Sequence, residues 1–266
     1  MNTVQTNNFT AGNIARRIAE KGESGSVCGV FSQGIYCKIK NETLLFHDEK
    51  WGVVPFGVAV PDFAAFSAEV SANVDDTVIL CENKLTISGK SYDITLQNPT
   101  PKAFVPTKEA SRERISDIFI YVKENGCAGG IIELMQNNRA GTNDAIKGLI
   151  RGDAAAATKL IGLGRGLTPS GDDFLCGYFA VLNALSVPAV TLREEVFDNL
   201  DRTTAISAAY IGAVLGRRYF TVYDRAVRAI FGEGDFKEDV DFVLSMGASS
   251  GTDTMIGALT AAQMIR

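Results

Sequence analysis

Asn98-Pro99-Thr100-Pro101-Lys102-Ala103-Phe104-Val105-Pro106 divides this chain into two halves of different pattern. Proline lacks an N–H and fixes φ, so a stretch this rich in it continues neither a strand nor a helix and reads as an extended connector. N-terminal to it, apolar residues come in short β-rich runs at 27–30, 35–39, 43–46, 53–60, 77–80, 85–87 and 92–96. Turn-forming residues separate them: Gly34, Asn41, Asn73, Asp75-Asp76, Asn83 and Ser88-Gly89. Residues 10–21 read as a helix capped by Thr10, with Ile14 and Ile18 on one face, and 61–71 as an intervening helix opened by Pro61. C-terminal to the connector the pattern turns helical, at 108–124, 130–137, 143–150, 154–161, 171–185, 192–215, 217–231, 236–246 and 251–265. Small residues on these faces (Ala180, Ala184, Ala205, Ala208, Ala209, Gly212, Ala213) permit close helix packing. The expectation is an α+β protein: a mainly antiparallel β-rich domain with an N-terminal helix over 1–98, a connector over 99–106, and an α-helical domain over 107–266.

Composition narrows the function classes. With 266 residues, 46% of them hydrophobic, the chain can bury a sizeable core. A net charge of −5 with no basic stripe gives no nucleic-acid footprint. The apolar runs are too short or interrupted to span a bilayer. Met1-Asn2-Thr3-Val4-Gln5-Thr6-Asn7-Asn8 has neither a basic nor an apolar leader region, so a cytoplasmic location is expected. Cysteines 28, 37, 81, 127 and 176 form no C-x-x-C pair and read as reduced, mostly small core residues, Cys176 among them rather than a nucleophile. The single histidine, His47, follows the run 43–46 and reads as a turn residue rather than a base. That scarcity excludes zinc sites built on several histidines, and Ser-His-Asp chemistry away from His47.

The most restricted chemistry lies at 162–177, Gly-Leu-Gly-Arg-Gly-Leu-Thr-Pro-Ser-Gly-Asp-Asp-Phe-Leu-Cys-Gly. Ser170-Gly171-Asp172-Asp173-Phe174-Leu175-Cys176-Gly177 is echoed by Ser250-Gly251-Thr252-Asp253-Thr254-Met255-Ile256-Gly257. Each copy fits a capping box, with Ser at the N-cap and an Asp three residues on. The last Gly of each copy, on the same helical face as that Asp, suggests that the two helices pack through Gly177 and Gly257. Two helix N-termini would then face one small volume and attract anions there. In that picture Gly164 and Gly166 let the backbone approach a ligand, and Arg165 is a clamp or a solvated side chain. Thr168, Ser170 and Gly171 line one side; Ser249, Ser250, Gly251 and Thr252 line the other. With Asp173 and Asp253 in the capping boxes, Asp172 is the freer carboxylate, suited to a divalent metal or a substrate amide, or simply to the helix dipole. Thr203 and Ser207, at i and i+4, form a hydroxyl stripe that packs or touches ligand. The candidate catalytic residues are Asp172, Asp173 and Asp253; metal and cofactor stay unassigned. Arg217-Arg218 reads as a solvated pair.

Gly-Leu-Gly-x-Gly-Leu-Thr-Pro-Ser-Gly-Asp-Asp followed by a later Ser-Gly-x-Asp resembles the AllH-type family, one member of which is the small subunit of oxamate carbamoyltransferase. The resemblance implies kinship from about residue 26 onward. It implies carbamoyl transfer (oxalurate plus phosphate giving oxamate and carbamoyl phosphate) and association with other carbamoyltransferase subunits. It implies a small anionic ligand: phosphate, carbamoyl phosphate or an oxalurate-like substrate. In the family it resembles, many members carry Pro and His where this chain has Arg165 and Ala248. Two other readings stay open: a non-catalytic anion-binding or assembly module, and a metal-dependent hydrolase using Asp172 and Asp173.

Overall fold

The computed structural model describes residues 7–265. Residues 1–6, most of the segment expected to carry no leader, lie outside the described residues. Contacts divide the chain into two compact units: residues up to Lys102 with Tyr219–Thr221, and Ala103–Arg218 with Val222 onward.

The first unit is an eight-stranded closed barrel. Its strands are β1 (Asn7–Ala11), β2 (Ser24–Phe31), β3 (Gly34–Ile39), β4 (Glu42–Asp48), β5 (Gly57–Val60), β6 (Thr77–Leu80), β7 (Lys84–Ile87) and β8 (Lys90–Gln97). They run β1-β5-β4-β3-β2-β6-β7-β8 around the wall, and β8 returns to β1. All pairs are antiparallel except β1–β8 and β4–β5. Alternate residues turn inward: Ile35, Cys37 and Ile39; Leu44 and Phe46; Val58 and Val60; Val78 and Leu80; Leu85 and Ile87. Those side chains, with Ile18 of α1 (Asn13–Lys21) and Phe63 and Phe66 of α2 (Phe63–Val70), fill the interior.

Several local expectations are corrected. Thr10 does not cap a helix; it lies in β1 beside Ala59, and Gly12 is the N-cap of α1. The run 53–60 is strand only from Gly57. His47 is no turn residue: it sits within β4, 2% exposed, opposite Gly34 and Ala59. Of the cysteines, Cys37 and Cys176 are buried, but Cys28 is exposed and Cys81 and Cys127 are half-buried; all are free thiols.

His47 Nδ1 bonds the Asp48 carbonyl oxygen at 3.0 Å, whereas Nε2 is buried without a partner. Burial pushes its pKa down to about 4, against a smaller opposing pull from Asp48. The unfolded chain therefore binds this proton at a higher pH than the fold does. His47 costs nothing above pH 6.5, and stability is lost as pH falls from 6.5 to 4, by about 3 kcal/mol when complete. Urea unfolding of wild type and His47→Gln between pH 7.5 and 4 should show the wild type losing that extra amount. Parallel curves would refute a buried neutral imidazole.

The second unit is helical: α3 (Arg112–Asn125), α4 (Gly130–Gln136), α5 (Thr142–Ile150), α6 (Ala154–Thr158), α7 (Ser170–Ala184), α8 (Val190–Phe197), α9 (Ala205–Leu215), α10 (Thr221–Phe231, from Val222 on), α11 (Lys237–Leu244) and α12 (Ser250–Met264). The helix expected over 192–215 is broken into α8 and α9 by a short 3-10 turn, Leu200–Arg202. The one expected over 217–231 starts only at Thr221. Among the described residues, no helix is long and apolar enough to cross a membrane.

Candidate functional site

The two echoed motifs open α7 and α12, and these helices pack directly on each other. A Cβ on Gly177 would fall under 3.0 Å from Thr254 O, and one on Gly257 under 3.0 Å from Phe174 O. Each helix thus brings its motif glycine against the other's backbone, an approach that no larger residue allows. The symmetry extends outward. A Cβ on Gly171 would collide with Leu160 O just beyond α6, and one on Gly251 with Val243 O of α11. The Gly171 N–H donates to Leu163 O at 2.8 Å and the Gly251 N–H to Met246 O at 3.1 Å. The chain folds the same helix–loop–helix device twice.

The capping boxes are not formed. Pro169 takes the N-cap position of α7 and Ser249 that of α12, and neither helix has a side-chain cap bond. The serines are drawn across to the opposite helix instead. Ser250 Oγ and Thr168 Oγ1 share a hydrogen bond at 3.1 Å. Ser250 also reaches the Asp173 carboxyl, and Ser170 reaches that of Asp253. Backbone carbonyls take over the capping: Pro169 O accepts from the Asp172 and Asp173 N–H groups at 2.9 and 3.2 Å, and Ser249 O from that of Asp253 at 2.9 Å. The free-donor argument for anion attraction is weakened accordingly.

Asp172 is not the freer carboxylate. It is fully buried, with Oδ1 accepting from the Gly162 N–H at 2.8 Å and Oδ2 from the Ser207 hydroxyl at 2.7 Å and the Thr203 hydroxyl. Thr203 and Ser207 are accordingly no single helical stripe. Thr203 is extended and follows the 3-10 turn, while Ser207 lies in the first turn of α9. Both are spent on Asp172 rather than on a ligand. Thr252, at the position equivalent to Asp172, holds a different loop: its Oγ1 accepts from the Cys127 N–H at 2.9 Å.

Asp173 and Asp253 occupy equivalent positions with unequal partners. Asp253 is fully buried, and its Oδ1 accepts from the Ile131 N–H at 2.7 Å, anchoring the first turn of α4. Asp173, 4% exposed, is held instead by the Ser250 and Thr168 hydroxyls. Among the described residues, Oδ2 of each carboxyl makes no hydrogen bond. Desolvation raises the Asp253 pKa to about 6, against pulls from Ile131, Ser170 and Ser249. Desolvation raises that of Asp173 well above the ordinary carboxylate range; hydrogen bonds from Ser250 and Thr168 pull against it, and repulsion from Asp253 and Asp172 adds to it. The Cys176 thiol, one turn further along α7, is also pushed up by burial and is no nucleophile.

Sequence reasoning missed the segment 126–131 as part of this arrangement; its glycines were the signal that could have found it. Gly130 has φ +64, and a Cβ there would fall under 3.0 Å from the Asp253 carboxyl. Solvent reaches only the loops. Gly164, Arg165, Gly166 and Leu167 are exposed on one side, Gly247 and Ala248 on the other, and Thr168, Ser249 and Ser250 are half-buried between. Arg165 forms no ion pair among the described residues, and Arg217 and Arg218 are exposed. Among the described residues no three His, Cys, Asp or Glu side chains are placed to hold a metal ion.

One comparison with known proteins bears on this region. The model of one family, oxamate carbamoyltransferase subunit AllH, matches residues 160–262. The AllH match takes in both motifs, their loops and the network around Asp172. It stops short of the expected start near residue 26, leaving the barrel outside. The family named by the match is that of a carbamoyltransferase subunit. No solved structure matches the chain.

Proposed function

We propose that the chain is a subunit of an oxamate carbamoyltransferase that handles oxalurate, phosphate, oxamate and carbamoyl phosphate where α7 and α12 begin. The observation that carries this reading is the coincidence of the AllH match with the doubled helix–loop–helix. Gly164, Arg165, Gly166, Thr168, Ser170, Ser249 and Ser250 supply hydroxyls, N–H groups and one guanidinium for oxyanions, while Gly171 and Gly251, whose N–H groups already bond Leu163 O and Met246 O, permit the close packing behind them. Thr203, Ser207, Thr252 and Asp172 act behind them, fixing the loops. A phosphate oxygen attacks the carbamoyl carbon of oxalurate, the bond from that carbon to the oxamate nitrogen breaks, and the nitrogen takes up the proton that the phosphate hydroxyl gives up. Such a step requires positioning and charge stabilisation rather than a covalent nucleophile. Other subunits of the transferase are the proposed partners.

The burial of Asp172, Asp173 and Asp253 favours one other reading, a subunit that binds the anion without turning it over. Saturating phosphate or carbamoyl phosphate should raise the melting temperature of the full chain by roughly 5–10 °C, since a ligand at 100 times its Kd adds about 2.7 kcal/mol. No shift with either ligand counts against both readings. A shift without turnover, with partner subunits present, favours the non-catalytic one.

A further inference from the structure

The barrel unit holds a cavity of about 310 Å³ where α1, the turn between β6 and β7, and β8 come together. That volume stands at the lower end of the range for ligand pockets, about 300–1,000 Å³. Ala19, Ile94 and Leu96 supply its apolar lining, and Arg16, Glu82, Asn83 and Thr95 its polar lining. Main-chain bonds hold the walls. The Cys81 N–H donates to Lys84 O at 2.8 Å, closing the turn that carries Glu82 and Asn83. The Ile94 N–H donates to Asn83 O at 3.1 Å and fastens that turn to β8. A site already held in shape spares its ligand part of the cost of ordering.

The polar side chains, by contrast, are unspent. Among the described residues, those of Glu82, Asn83 and Thr95 make no hydrogen bond and no ion pair. Arg16, half-buried, gives one N–H to Leu96 O at 3.2 Å, which orients its guanidinium and leaves most of its donors open. The next cations on α1 are both paired, Arg17 with Glu42 at 2.7 Å and Lys21 with the same carboxylate at 3.8 Å. Arg16 has no acid partner among the described residues. Glu20, one turn along α1, does not reach it, and neither does Glu82 in the same cavity. A cation and an anion therefore share one space without meeting.

We propose that this cavity binds a free amino acid with an apolar side chain. Arg16 takes the carboxylate and Glu82 the ammonium, while Asn83 and Thr95 add hydrogen bonds to these groups. The ligand's side chain lies against Ala19, Ile94 and Leu96. A simple anion would leave Glu82 unpaired and repelled, and a simple cation would do the same to Arg16, so the lining selects a molecule that carries both charges. The site is built wholly from residues of the barrel unit and is independent of the anion site proposed for α7 and α12.

L-leucine, 4-methylpentanoate (leucine without its ammonium) and 3-methylbutylamine (leucine without its carboxylate) isolate the two charges. Isothermal titration of the full chain should show saturable binding of L-leucine, with each analogue at least about 10-fold weaker, since a lost charged hydrogen bond is worth a factor of that order. Glu82→Gln alters an exposed residue with no partner to lose, so the fold should be untouched. It should weaken L-leucine at least about 10-fold without weakening 4-methylpentanoate. Arg16→Gln should weaken L-leucine without weakening 3-methylbutylamine. Circular dichroism checks both variants, and Glu82→Gln alone decides the matter if Arg16→Gln, which gives up the bond to Leu96, does not fold. No saturable binding of L-leucine by the wild type overturns the proposal. So does binding of either analogue as tight as that of L-leucine, or an unchanged affinity for L-leucine in Glu82→Gln.

Discussion

Gly177→Ala should remove more than about 4 kcal/mol of stability, enough to leave the helical unit unfolded or aggregated at 37 °C. A methyl group there would sit far inside van der Waals contact with Thr254 O, and the obstacle is the backbone of α12 rather than a side chain able to turn aside. Gly257→Ala meets Phe174 O in the same way and should do the same. Gly212→Ala is the control: it too places Ala in a helix, but its nearest neighbour is Leu200 Cδ1 at 3.9 Å. That change should be neutral or add up to about 1 kcal/mol through helix propensity. Chemical denaturation of the three variants separates the explanations. Gly177→Ala as stable as wild type would mean that α7 and α12 do not cross at these glycines.

Asp172→Ala is expected to cost about 3 kcal/mol, and to loosen one loop before the rest of the unit. The Gly162 N–H and the Thr203 and Ser207 hydroxyls all lose their acceptor at once. The loss is held below the sum of those bonds because burial already disfavours the ionised form of Asp172, so removing it also removes a desolvation cost. Asp172→Asn keeps one acceptor oxygen and carries no charge, so it should cost only about 1 kcal/mol. Limited proteolysis should cut Asp172→Ala within 162–169 well before any other site. Uniform sensitivity along the chain, or a stability within about 0.5 kcal/mol of wild type, would show that the network does not hold the loop.

The division into strands and helices was legible because it depends on local pattern: alternation at Ile35, Cys37 and Ile39, and the three prolines after Asn98. Closure of the barrel was not, since β1 is only Asn7–Ala11, opens on two asparagines and offers Phe9 and Ala11 as its inward residues. The break between α8 and α9 was also hidden. No glycine or proline lies in 198–204 to announce it; the Asp172 side chain, 31 residues from Thr203, holds that turn from another helix. In the site, the glycine spacing foretold the packing of α7 on α12. The serines misled because capping is a local preference, and here it lost to hydroxyl partners across the helix pair. Which of two adjacent aspartates was free depended on Gly162, Thr203 and Ser207, whose positions no local rule supplies.

The parallel pairing of β1 with β8 has a consequence for biosynthesis. A ribosome must release residue 97 before the first strand finds that neighbour. Until then β1 has only β5, through Thr10 and Ala11, and the nascent wall ends in unsatisfied amide groups. Such sequence-distant closure slows folding relative to a helical bundle of similar size. Trimming the chain at its amino end past Ala11 would reopen that seam for good, and the exposed flanks of β5 and β8 would recruit strands from other molecules.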